Sequence, residues 1–263
     1  MTSIQRQITG RKRIFLFLDY DGTLVPIKRA PELAVLRASR RHLLERLSRT
    51  LFIGIVSGRS LADIQKTVSI KDIAYIGNHG LEISCRNRRW IHPGAKRIRP
   101  VLKSVLRRIR RKTQDWPGLL VEDKGLTGSI HYRRLTTPLP KELGDLVERE
   151  VRLRRGELQL TEGKKVLEIR PHIDWDKGTG VLKLSRWLGI KRPDLRIYIG
   201  DDQTDEDAFR ALDGNAITIR VGTGKDSSAR FQLPDVAAVW EFLSAFLSLA
   251  PPPLKGPGAR RSR

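Results

Sequence analysis

An open α/β protein, with a mainly parallel sheet and a separate small α/β cap inserted into it, is what the 263-residue chain predicts. Three observations carry that reading. Five short apolar runs lack the alternation of a half-exposed strand, each is followed at once by small or polar residues, and helical patterns lie between several of them. From about Lys96 to His172 the pattern breaks, which marks the insertion.

The runs are Ile14–Leu18, Leu51–Val56, Ile73–Ile76, Arg196–Ile199 and Ala216–Val221, and they end in DYDGT, SGR, GNHG, GDDQTDED and GTGKD. Leu36, Leu43, Leu44 and Leu47 predict a helix over 33–47; Val181, Leu184 and Leu188 predict another over 181–188, capped by Gly189. Alternation of strand and helix predicts a parallel sheet. Inside the insertion, Ile98, Val101, Leu102, Val105, Leu106 and Ile109 recur at helical spacing, with Arg and Lys on the other face. Strand-like segments follow at 118–121, 126–133, 156–161 and 165–169, around a second helix near 139–153. Val236–Ala250 reads as an amphipathic closing helix, too short and too polar to span a bilayer. The expected division is a core over 1–97 and 173–250, a cap over 98–172, and a disordered basic tail over 251–263.

At 39% hydrophobic and 30% charged the chain can bury a core, which excludes wholesale disorder. Lys and Arg number 51 against 29 Asp and Glu, a net charge of +22 that favours polyanionic or phosphorylated ligands and says nothing of fold. Cys85 is the single cysteine, so an internal disulfide and a cysteine zinc cluster are excluded. The start, MTSIQRQITGRKR, has no secretory pattern, so a cytoplasmic location without membrane association is expected. Nucleic-acid binding is the first rival function, because the helix from Arg99 to Thr113 carries seven basic residues. There is no zinc pattern, helix-turn-helix signature or RNP-like aromatic set, so a solvated basic face and no specific nucleic acid are expected. A fold that has lost its chemistry is the second rival. Phosphate-loop, His-Glu-x-x-His and Gly-x-Ser-x-Gly motifs are all absent.

Ligands of open α/β sheets bind beyond the carboxyl ends of the strands. Those ends hold Asp19, Asp21, Ser57, Asn78, Asp201 and Asp202. Any one of these loops could be an ordinary turn; several with the same polarity on one edge point to a site. Asp19 and Asp21, spaced i, i+2 with Gly22 permitting a sharp turn, can converge on one small site. Such carboxylates suit Mg²⁺. One carboxylate can attack phosphorus while its neighbour handles the proton, and Thr23 offers a hydroxyl and an N–H to phosphate oxygens.

Four motifs in order resemble the haloacid dehalogenase-like phosphatase superfamily: Asp19–Thr23, Ser57 in Val-Ser-Gly-Arg, Lys177 in Asp-Trp-Asp-Lys-Gly, and the acidic stretch Gly200–Asp207. Adding Gly77–Glu82 and Gly163–Pro171, the pattern is similar to the trehalose-6-phosphate phosphatase family over roughly residues 13–245. The resemblance implies an α/β Rossmann-like parallel-sheet core of the haloacid dehalogenase type, with an inserted α/β cap that closes over sugar phosphates. It implies Asp19 as nucleophile, Asp21 as acid and then base, and Ser57 and Lys177 as phosphate stabilisers. Mg²⁺ would be held by Asp19, the backbone carbonyl of Asp21 and Asp201, with Asp202 or Asp205 behind them. Glu122, Lys124 and Glu168 would grip sugar hydroxyls, while Thr23, Arg59, Asn78 and Arg170 are further candidates for substrate contact. Relatives acting on sucrose phosphate or mannosylglycerate phosphate share much of this set, so those substrates stand as alternatives. The expected partner is a small sugar phosphate, and the chain is expected to act as a monomer.

Overall fold

The computed structural model describes residues 3–8, 10, 11, 13–135, 140–163, 165–224 and 226–249. The expected tail over 251–263 lies outside them, as do Leu139, Lys164 and Ala250. The chain opens with α1 (Ser3–Ile8), β1 (Ile14–Asp19), α2 (Ala38–Leu47), β2 (Phe52–Val56), α3 (Leu61–Val68), β3 (Ala74–Gly77), and a hairpin of β4 (Glu82–Cys85) and β5 (Arg88–Ile91). Next come α4 (Pro93–Lys112), β6 (Leu120–Asp123), β7 (Gly128–His131), α5 (Lys141–Arg152), β8 (Leu158–Gly163) and β9 (Val166–Pro171). Last are α6 (Lys177–Trp187), β10 (Leu195–Gly200), α7 (Gln203–Ala211), β11 (Ile217–Val221), β12 (Phe231–Leu233) and α8 (Val236–Leu249).

The larger sheet runs β12-β11-β10-β1-β2-β3-β4-β5, parallel except for the hairpin at its β5 edge. All six β1 residues are buried because both faces are covered. Leu16 and Leu18 enter a layer with Leu44, Leu47 and Leu243, while Phe15 and Phe17 enter one with Val181, Leu184 and Phe209. Two-sided burial is why the run shows no alternation. The chain leaves β1 for β2 and β3 on one side and returns as β10 and β11 on the other. That reversal opens a crevice at the carboxyl ends of β1, β2 and β10.

The second sheet runs β6-β7-β9-β8 and is antiparallel throughout. Val121, Ile130, Leu167 and Ile169 pack beneath Leu102, Leu106, Leu143 and Val147 of α4 and α5. The two-residue period then turns the intervening side chains to the other face. Cross-strand register lines up Glu122, Ser129, Glu168 and Thr161 in one polar row.

Two expectations are corrected, and one element is new. The helix predicted over 33–47 begins only at Ala38; Pro31–Leu33 is a short 3-10 turn, and buried Leu36 precedes the helix. Tyr20 Oη donates to the Ala34 carbonyl and fixes that segment, which overrides the leucine spacing. The stretch 203–207, expected as an acidic loop, is the first turn of α7. Asp202 and Asp205 cap it reciprocally, each side chain accepting from the other's backbone N–H. The β4–β5 hairpin was not expected; it turns at Arg86, whose φ is 53°. Among the described residues, no helix is long and apolar enough to cross a membrane.

Candidate active site

Parallel pairing sets the base of the site. Asp19, the last residue of β1, lies beside Val56 of β2, and Leu18 lies beside Ile199 of β10, so Asp19, Ser57 and Asp201 emerge together. They line a cavity of about 570 Å³ between the two sheets. Lys177 enters from the start of α6, where Asp176 accepts the Thr179 N–H as N-cap. Its buried Nζ donates to Asp19 Oδ1 at 2.9 Å and Asp205 Oδ1 at 2.8 Å. Asp205 also accepts from the Tyr198 hydroxyl and from the N–H groups of Asp201 and Asp202, so it braces the whole corner. Gly200 makes room for it, since a Cβ there would fall 2.3 Å from the Asp205 carboxyl carbon.

Burial, outweighing the attraction of Lys177 and reinforced by Asp205 and Asp201, raises the Asp19 pKa well above the usual carboxylate range. Burial also opposes the Lys177 ammonium, but Asp19, Asp202 and Asp205 outweigh it and hold the lysine charged. Carboxylates outnumber cations at this corner, with Asp19, Asp202 and Asp205 all within 3.6 Å of the single Lys177 ammonium. Ligand atoms of Asp19, Asp201 and Asp205 lie within 4.8 Å of one another, an all-oxygen set that fits a hard divalent cation. Gly22, at φ +97°, lets the β1 loop approach; a Cβ would meet the Asp201 carboxylate at 2.2 Å.

Asp202, expected behind the metal ligands, lies outside that cluster. Its Oδ1 accepts from the N–H groups of Thr204 and Asp205 and from the Thr204 hydroxyl, because it caps α7. The Asp21 side chain turns instead to Arg59, which grips its two oxygens at 2.7 and 2.8 Å. Arg59 was expected to touch substrate. Its guanidinium is engaged by Asp21, Asp63 and the Pro31 carbonyl, and these carboxylates overcome burial to raise its pKa. It lines the cavity, and its grip orients Asp21.

Thr23 and Asn78 do not line the cavity. Thr23 is fully buried beneath it. Asn78, also fully buried, donates to Glu82 and to the Lys124 carbonyl and accepts from Thr127, so it joins the two sheets. Ser57 Oγ accepts the Arg59 N–H at 3.1 Å and closes its loop.

The opposite wall comes from the polar row of the second sheet. Lys124 Nζ donates to Glu168 Oε1 at 2.8 Å, and His131 Nε2 lies 2.8 Å from Glu122 Oε2. Burial opposes the Glu168 charge, yet His79 and Lys124 beside it hold its pKa well below the usual range. Arg170 reaches the cavity from β9. His79 lines it too, as do residues that sequence reasoning missed: Lys28, Arg29, His131 and Arg133. The Ser129/His131 alternation in β7 carried a signal for His131. Nothing local marked Lys28 and Arg29, which reach the cavity through the bend at Pro31.

A parallel sheet with an aspartate-lysine centre at its crevice, faced by an inserted α/β unit, is the architecture of the haloacid dehalogenase-like fold. A Bacteroides thetaiotaomicron hydrolase of that type, 15% identical, shares the fold at a TM-score of 0.61 over 89% of this chain and all of its own. Residues 17–237 match the trehalose-phosphatase family model, and the chain belongs to that family. It is 36% identical over 246 residues to trehalose-phosphate phosphatase B of Arabidopsis thaliana, covering 88% of this chain and 66% of the relative. Similarity to the Mycobacterium marinum trehalose-phosphate phosphatase is 36% over 244 residues, 89% of this chain and 61% of that one. The chain thus spans less than two thirds of the length of these curated relatives. A crystal structure of a trehalose-6-phosphate phosphatase related protein, 29% identical, superposes with a TM-score of 0.79 over 89% of this chain and 97% of that one.

Proposed function

We propose that the chain is a Mg²⁺-dependent phosphatase that hydrolyses trehalose 6-phosphate to trehalose and phosphate. The observation that carries it is the Asp19–Lys177 pair at 2.9 Å in the floor of a cavity whose roof is the Lys124–Glu168 pair at 2.8 Å. One end is built for a phosphoryl group and the other for hydroxyls, and the volume lies in the range of small-ligand sites, roughly 300–1,000 Å³.

Lys177 holds Asp19 Oδ1, leaving Oδ2 to attack phosphorus. The P–O bond to the sugar breaks as Asp21, once it has taken up a proton and while Arg59 orients it, delivers that proton to the leaving oxygen. Asp21, now a carboxylate, takes a proton from water as that water attacks phosphorus, and Asp19 is released with phosphate. Ser57 and Lys177 stabilise charge on the transferring group. Asp19 and Asp201 would hold Mg²⁺, which when bound neutralises phosphate charge and fixes its orientation. Glu122, Lys124, Glu168 and Arg170 contact the sugar, and a substrate filling the space between the two sheets displaces competing water.

The test is phosphate release over a panel of sugar phosphates with Mg²⁺ present. Trehalose 6-phosphate should be turned over at least ten times more efficiently than sucrose phosphate or glucose 6-phosphate. Preference for another disaccharide phosphate would reassign the substrate.

A further inference from the structure

The turn Gly77–Gly80 bonds to both halves of the cavity. The Asn78 N–H donates to the Arg59 carbonyl at 2.7 Å, and the His79 N–H donates to the Ser57 carbonyl at 3.1 Å, tying the turn to the phosphate-motif loop. The Asn78 side chain reaches Thr127 and the Lys124 carbonyl in the facing sheet. Both residues hold left-handed backbone, φ 47° at Asn78 and 54° at His79, a costly conformation kept by those bonds. The result is to aim the His79 ring inward. The ring is 5% exposed and rests on Gly58, where a Cβ would lie 2.5 Å from its Cε1 and Nε2.

His79 Nε2 comes within 2.9 Å of Glu168 Oε2, while Lys124 holds Oε1 of the same carboxylate. Neither ring nitrogen makes an aligned hydrogen bond to the protein. Such contacts often tighten only when substrate is bound. We propose that His79 is a positioning residue: its Nε2–H sets the Glu168 carboxylate for a sugar hydroxyl and links that reader to the Ser57–Arg59 loop. Burial, stronger than the pull of Glu168, lowers the imidazole pKa to about 4, so the ring is neutral and carries one proton. A neutral donor holds the carboxylate without adding a cation beside the phosphate. The inference rests on the sugar-phosphate reading above.

The experiment compares His79→Leu and His79→Gln on trehalose 6-phosphate and on p-nitrophenyl phosphate. Loss of the donor in His79→Leu should lower kcat/KM on the disaccharide about 10- to 30-fold, mainly through KM, and on the aryl ester by no more than about threefold. His79→Gln, whose amide nitrogen can take the place of Nε2, should recover to within about threefold of wild type. Adding His79→Leu to Glu168→Ala should cost little more than Glu168→Ala alone. Equal losses on both substrates, no recovery with Gln, or fully additive losses would overturn the proposal. If His79→Leu does not fold, ¹⁵N NMR of histidine-labelled wild type decides. The proton should sit on Nε2 and its signal should move in Glu168→Gln; an Nδ1–H ring or an unmoved signal overturns the assignment. A wild type inactive on trehalose 6-phosphate would sink the substrate reading instead, and the NMR arm would still decide the His79 contact.

Discussion

Asp19 is crowded by Asp201 and Asp205 and relieved by one ammonium, so its side chain is held for chemistry at some expense of stability. Asp19→Asn keeps the shape and removes the attacking anion. Turnover should fall by roughly four to six orders of magnitude, while the thermal midpoint stays within about 5 °C of wild type. Phosphate release together with a thermal melt checks both. Residual turnover above a tenth of wild type would rule out the covalent route. Lys177 cannot be read alone either: it is buried because three carboxylates hold it, two of them on the α7 turn. A residue at this centre acts through its neighbours, and variants here should be strongly non-additive.

The helices show how a polar group can fasten elements far apart in the chain. Glu150 of α5 is nearly buried and pairs with Arg108 and Lys112 of α4 at 2.9 Å each. Burial opposes its charge, but Lys112 and Arg108 outweigh it and hold its pKa below the ordinary 4.5. The folded carboxylate then binds a proton less readily than the unfolded one. Its stabilisation is complete above the unfolded value and is lost as pH falls through the folded one. The cations are partly exposed, so Glu150→Gln should cost about 1–2 kcal/mol, or roughly 3–6 °C in the melting midpoint, at pH 7. Melts from pH 7 downward should show the gap closing below about pH 4. A gap independent of pH would mean that packing, not the ion pair, is lost.

At the scale of the molecule, Asp19 ends β1 and Asp201 follows β10, strands that are neighbours in the sheet and remote in the chain. Their carboxylates repel unless a cation joins them. EDTA should therefore abolish turnover and Mg²⁺ restore it. Ca²⁺ should restore little, because its larger and looser shell disturbs in-line geometry at phosphorus. Full activity in chelator would remove the metal from the reading. The inserted unit joins the core through two segments that run side by side, where the His92 ring lies 4.8 Å from Trp175 and Trp175 Nε1 donates to the Gly80 carbonyl. Those contacts fix how the polar row faces the Asp19 centre.

The fold class was legible in the sequence because it rests on local regularities. Two-sided burial removes alternation from β1, β2 and β10, and helical spacing fills the gaps between strands. The ends of those strands delivered Asp19, Ser57 and Asp201, since a parallel sheet exposes all its carboxyl ends on one edge. What the sequence could not decide was which of several like residues points where. Asp202 and Asp205 carry the same group three residues apart and both cap α7, yet Lys177 hydrogen-bonds Asp205 at 2.8 Å and stays 3.6 Å from Asp202. Arg59 stood among the candidates for substrate contact, and only the structure shows its guanidinium engaged by Asp21 and the Pro31 carbonyl. His79, in sequence equally a turn residue or a substrate contact, has Glu168 brought to within 2.9 Å by the inserted sheet. Such contacts depend on distances between elements far apart in the chain and on side-chain directions set by caps and packing. Only the tertiary structure fixes both.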